Sequence, residues 1–267
     1  MSRPLEAITK ILSDSDLNTL MTAAAGASDR EELWRAAEPG LAAPARISRR
    51  TAFSVFCGWY LDGEEPRLEA PVRAWRSFSD MQIRREVLHI ERCRHLPVLD
   101  DMLEEVIYAR LMQGPEMLFG DRRQAISNAA MDAYLARRLA GYTASTRRST
   151  RIKVRRLLTQ AGLAREVGQP GRGDLIVEYG RPSWVGWVYA VYREYGDLGQ
   201  RRRAEAWLLN EARTTRRLLL PPAIAAPLLA EAVRQGVLER ESFAGETYLR
   251  LVMADTAELV RTLGRGD

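Results

Sequence analysis

One pattern constrains the fold of this chain more than any other, and it occurs twice. Gln160-Ala-Gly-Leu-Ala-Arg-Glu166 and Gln235-Gly-Val-Leu-Glu-Arg-Glu241 both read as a helix end, a glycine stop and the start of a short strand. In both places a Gly-containing turn and a second strand pattern follow. A helix that runs into a two-stranded hairpin is the back half of a winged helix-turn-helix. The sequence therefore predicts two winged-helix-like units, with DNA contact by the second left open.

The first copy is preceded by an unusual helix. Six of the ten residues 147–156 are basic and none is acidic. Ser145, Thr146 and Ser149 offer N-cap oxygens, and Gly162 suits the helix end. At about 100° per residue, Val154, Leu157, Leu158 and Ala161 share one side. Arg148, Arg151 and Arg155 share a neighbouring side, with Arg147 at its edge. One face is thus expected to pack and another to present guanidinium groups. The strands are expected at residues 163–167 and 174–179, with Arg172 at the tip of the loop between them.

Charge distribution points the same way. Residues 141–220 hold 16 Lys/Arg against 7 Asp/Glu, while the whole chain is only +5, so the rest of the chain is net negative. A positive middle favours a polyanionic partner. Arginine accounts for nearly all of it, since Lys10 and Lys153 are the only lysines. That planar fork suits phosphate and guanine, although genome composition also produces such a skew.

The 267 residues, 46% hydrophobic and 28% charged, are enough for real cores. The fold class expected is mostly α: a helical domain over residues 1–140, the basic helix and hairpin over 141–182, and a carboxy-terminal helical, winged-helix-like part over 183–267. A capping box is read at residues 28–31, helices at 81–95 and 98–112, and a helix opening at Asp121 and ending near 140. Trp184, Trp187, Val188, Val191 and Tyr195 fit one helical face and read as core. Arg201, Arg202 and Arg203 are expected to open a helix, with Arg213, Arg216 and Arg217 as a second basic cluster. No leader pattern and no apolar run of about 18 residues is read. The expectation is a cytoplasmic protein with no membrane partner. Cys57 and Cys93 imply no disulfide framework.

Catalytic chemistry has little to stand on. His89, Cys93 and His95, with Cys57, lack the spacing of a structural zinc site. Asp100, Asp101, Glu104 and Glu105 form a carboxylate cluster of the kind an exposed acidic helix face gives. The Gly168–Gly173 loop lacks the Gly-Lys-Ser/Thr ending of a phosphate-binding loop, and no nucleophile elbow is present. A non-enzymatic protein without metal or cofactor is expected.

Over about residues 80 to 180 the chain resembles the BrxA family of bacterial BREX phage-defence systems, best at residues 89–106 and 145–163. The resemblance implies a NusB-like helical part with winged helices, and double-stranded DNA binding in the service of phage restriction, beside other BREX proteins. On that reading Arg148, Arg151 and Arg155 contact DNA, with Arg147, Lys153 and Arg156 beside them and Arg172 at the wing tip. Arg201, Arg202, Arg203, Arg213, Arg216 and Arg217 extend the track. Two other readings stay open: an assembly adaptor that binds protein partners, and a winged-helix transcriptional regulator.

Overall fold

The computed structural model describes residue 8 and residues 10–112, 123–168 and 173–264, and these are mostly helical with two small antiparallel sheets. The amino-terminal part forms α1 (Asp14–Ala24), α2 (Arg30–Ala37), α3 (Arg46–Tyr60), α4 (Ala70–Ser77) and α5 (Met81–His95). Ser13, Asp29 and Asp80 cap α1, α2 and α5, each side chain accepting from a backbone N–H of the first turn. α6 (Pro97–Met102) starts on a proline and runs through a π-helical turn (Leu103–Tyr108) into α7 (Ala109–Met112).

The first hairpin belongs to a larger unit: β1 (Arg123–Ile126), α8 (Asn128–Arg138), α9 (Ala144–Gln160), β2 (Ala164–Glu166) and β3 (Leu175–Glu178). The sheet order is β1-β3-β2, with Gln124 and Ala164 flanking Val177. The second unit repeats the plan: α10 (Trp184–Asp197), β4 (Arg202–Ala204), α11 (Glu205–Asn210), α12 (Arg213–Arg217), α13 (Pro222–Arg234), β5 (Leu238–Phe243) and β6 (Glu246–Leu251). Its order, β4-β6-β5, is the same. Helix, strand, helices and hairpin, with the last strand central, is the winged-helix arrangement. α9 and α13 hold the same place in it, directly before the hairpin. α14 (Thr256–Leu263) closes the described chain.

Two sequence expectations change here. The helix expected from Asp121 begins only at Asn128, capped by Ser127, because residues 123–126 pair with β3; Asp121 itself lies outside the described residues. Arg202 and Arg203 do not open a helix but lie in β4, paired with β6. Strands this short are fixed by the partner they join rather than by their own propensity.

The buried side chains form two clusters. The first gathers α1–α3, α6–α9 and the first sheet; the second gathers α4, α10–α14 and the second sheet. The expected boundary near residue 140 falls inside the first cluster, where Gln160 donates to Asp14 at 3.1 Å. α5 serves both: Leu88 and Cys93 face the first core, and Ile83, Val87 and Ile90 the second. The segment after α12 does the same over three residues. Leu219 packs in the first core, between Leu218 and Leu220 in the second. Leu219 adopts φ +52°, uncommon for a non-glycine residue, and its carbonyl accepts the Gly180 N–H at 3.1 Å.

Candidate nucleic-acid interface

α9 carries the residues on which the sequence reading concentrates. Its cap is Thr143, whose hydroxyl accepts the Thr146 N–H at 3.2 Å, so the helix starts ahead of all three expected cap oxygens. Val154, Leu157 and Leu158 are buried as the periodicity requires.

Arg151 and Arg155 are buried with them, and this corrects their expected role. Arg155 is 0% exposed. Its Nε donates to Glu166 Oε1 on β2 and its Nη1 to Asn128 Oδ1 on α8, both at 2.9 Å. Arg151 pairs with Asp132 on α8. At i and i+4, beside Val154 and Leu158, these two side chains point at neighbouring elements. A guanidinium taken out of water must find partners there. They bolt α9 in place and do not reach a ligand. Lys153 is likewise committed, its Nζ donating to the Ile8 carbonyl at 2.7 Å. Arg147 is half-buried, and its Nη1 donates to the Tyr142 carbonyl at 2.7 Å.

What remains on the outer face is Arg148, Ile152 and Arg156, at i, i+4 and i+8 and all exposed. Neither Arg148 nor Arg156 has a hydrogen bond or ion pair among the described residues. Arg137, in the last turn of α8, is exposed and unpaired in the same sense. The sequence reading missed it, although a basic last turn just before α9 was visible. Arg172 lies outside the described residues.

The second basic cluster is also spent internally. Arg217 grips Asp100 with two bonds of 2.7 Å, Arg213 reaches the same carboxylate at 3.0 Å, and Arg216 pairs with Glu104. Arg138 pairs with Asp101. Asp100 and Glu104 thus latch α12 onto α6 and the π turn, while Asp101 holds α8. Arg201, Arg202 and Arg203 serve the second sheet. Arg201 donates to the carbonyls of Leu251, Val252 and Met253 at 3.0–3.4 Å. Arg202 pairs with Glu241 at 3.1 Å and stacks 4.4 Å from the Tyr248 ring. Arg203 lies 4.4 Å over Trp207. Of these six, only Arg213 keeps a largely exposed side chain among those in ion pairs with the acidic helix, at 55%.

The histidine region is structural by the same test. His89 Nε2 is 2.8 Å from the Arg217 carbonyl and 3.6 Å from Cys93 Sγ. Burial pushes its pKa down to about 4, which leaves it neutral. Asp62, Glu91 and His95 place ligand atoms within 4.8 Å of one another, a grouping the sequence conceals because Asp62 is on a distant loop. Two guanidiniums already occupy it. Arg193 reaches Glu91 at 2.7 Å and Asp62 at 2.9 Å, and Arg94 reaches Glu91 at 2.7 Å. Burial alone would raise the Glu91 carboxyl, but Arg193 and Arg94 hold it below its ordinary value. The group ties α5 to α10. Trp187, Val188, Val191 and Tyr195 of the aromatic stripe are core, as expected.

No described helix is long and apolar enough to cross a membrane. No family model, no curated protein and no solved structure matches the chain.

Proposed function

We propose that the chain binds double-stranded DNA through α9, as a non-enzymatic accessory protein of a BREX-type phage-defence system related to BrxA. One observation carries the reading. The helix in the recognition position of a winged-helix unit presents Arg148 and Arg156 two turns apart, exposed and unspent, with Ile152 between them. Arg137 is a further exposed cation, in the last turn of the preceding helix. Two guanidiniums on one face neutralise phosphates without specifying bases, so binding is backbone-led and salt-sensitive. The footprint is narrower than the sequence implies, because Arg151 and Arg155 are withdrawn from it.

The test is binding to a fluorescent duplex of arbitrary sequence across about 50 to 200 mM salt. The expected result is a log-linear loss of affinity whose slope flattens in Arg148→Ala/Arg156→Ala. A duplex that is ignored at the lowest salt overturns the reading.

An adaptor role has an observation of its own. The outer face of α13 is Ala223, Ala226, Pro227 and Ala230, exposed and uncharged. Protein that ignores duplex yet co-purifies with products of neighbouring genes would favour that role.

A further inference from the structure

The second sheet ends on an open strand. β5 and β6 have six residues each, against three or four in every other described strand, and β6 is central, so β5 is the longest edge. The Val252 N–H donates to the Val237 carbonyl at 3.3 Å. Backbone groups alternate sides along a strand, so Glu239, Glu241 and Phe243 bond to β6, while Leu238, Arg240 and Ser242 turn theirs away from it. None of those outward N–H and C=O groups has a partner among the described residues. Arg240 and Ser242 are exposed, so the edge is open to solvent there. Such an edge is a template for another strand.

The side chains beside the edge decide which strand fits. Glu239, Glu241 and Phe243 stand in a column on one face, and Phe243 is 66% exposed. Arg250 on β6 bonds both carboxylates, and Arg202 on β4 pairs with Glu241 at 3.1 Å. A strand added at β5 would lie about 10 Å from β6 and further from β4, so the nearest charges it meets on this face are the two carboxylates. Arg240, on the other face, is spent on Glu205 at 2.8 Å. A second copy of β5 fits poorly. In the antiparallel register that engages all three outward residues, Glu239 would stand opposite Glu241 and Arg240 opposite itself, and like charges directly opposite are destabilising.

We propose that the edge of β5 accepts an extended segment of a partner protein as a fourth, antiparallel strand. From its amino end the segment reads apolar, any, basic, any, basic: the apolar side chain covers Phe243, and the two cations stand opposite Glu241 and Glu239. Main-chain bonds to Arg240 and Ser242 hold it, and the side-chain column selects it. The site is separate from the outer face of α9 and does not depend on DNA binding.

The experiment is an NMR titration of the ¹⁵N-labelled full chain with the peptide acetyl-Thr-Val-Thr-Lys-Thr-Lys-Thr-amide. Saturable binding is expected, with the Arg240 and Ser242 N–H resonances moving downfield as their protons gain acceptors. Ser242→Pro should weaken binding at least roughly tenfold, because it removes an outward donor and crowds the edge. Proline is tolerated at an edge position whose N–H faces away from the ladder, so this variant keeps its fold. Methylating the nitrogen of the fifth peptide residue, opposite Arg240, should abolish binding with the protein untouched. Exchanging both lysines for glutamate should weaken it at least about threefold. Five outcomes overturn the proposal: no saturable binding, unchanged affinity in Ser242→Pro, full affinity of the methylated peptide, equal affinity of the glutamate peptide, or dimerisation of the free chain that protects the same two amides. The last assigns the edge to a second copy.

Discussion

α9 and α13 occupy the same position in two units of the same topology, and their chemistry is opposite. The inner face of α9 buries two arginines beside its leucines, held by Asp132, Asn128 and Glu166. The inner face of α13 is Ala225, Leu229 and Ala232. Outside, α9 offers Arg148, Ile152 and Arg156, whereas α13 offers alanine and proline, and its Arg234 is tied to Glu231 at 2.6 Å. Topology decides which helix stands before the hairpin. Only the residues on its outer face decide what it can meet.

The largest effect should come from inside α9. Arg155→Ala removes a fully buried cation that bonds both Glu166 and Asn128, so a loss of about 3–5 kcal/mol is expected in urea unfolding. Leu229→Ala at the matching face of α13 should cost about 2–5 kcal/mol by leaving a cavity. A cost under about 1 kcal/mol for Arg155→Ala would mean its guanidinium reaches solvent after all, and the contrast between the helices would narrow.

The joint between the units should respond to acid. His89 has a folded pKa near 4 and an ordinary value of 6.5, so the unfolded chain binds the extra proton in between. Stability is therefore full above about pH 6.5 and falls as pH drops toward 4, by on the order of 1 kcal/mol per pH unit. His95, also pushed down by burial, adds in the same direction. His89→Gln keeps a donor for the Arg217 carbonyl but cannot titrate. Unfolding midpoints between pH 6.5 and 5, above the carboxylate range, should decline less steeply in that variant than in the parent.

Binding separates the outer faces. Arg148→Ala/Arg156→Ala should weaken duplex affinity roughly tenfold at moderate salt and lower the salt slope by about two, one per lost phosphate contact. Ala226→Gln/Ala230→Gln on α13 should change affinity less than about twofold. Equal effects from the two pairs would dissolve the comparison.

The smallest effect concerns the second hairpin. Ala244 and Gly245 turn it with φ of +51° and +83°, a two-residue turn that favours Asn-Gly. Ala244→Asn should stabilise the chain by about 0.5–1 kcal/mol in thermal unfolding, with duplex affinity unchanged.

Much of this fold was legible. Both hairpins, α5 to the residue, and the aromatic face of α10 follow from periodicity and punctuation. The capping box was displaced by one position: Asp29 caps Glu32, and Glu32 accepts the Ser28 N–H at 2.8 Å. β1 and β4 stayed hidden because three or four residues carry no periodicity of their own. The fate of the arginines was hidden for a different reason. A helical wheel places Arg148, Arg151 and Arg155 close together, but only the positions of α8 and β2 decide which of them are enclosed. Asp132 and Glu166, the partners that settle it, lie 19 and 11 residues away.

Much of α5 is enclosed, because its two apolar faces are claimed by different cores. Leu218, Leu219 and Leu220 stitch the same two cores together from the far side of the chain. A fragment cut at residue 140 or 182 would strip one face of α5 and lose a stitch, so neither piece should persist as a folded module. The two winged-helix-like units repeat a topology, yet they should unfold in one cooperative transition. The chain thus holds two similar shapes whose cores meet on one helix, and neither shape can be removed without uncovering a face of that helix.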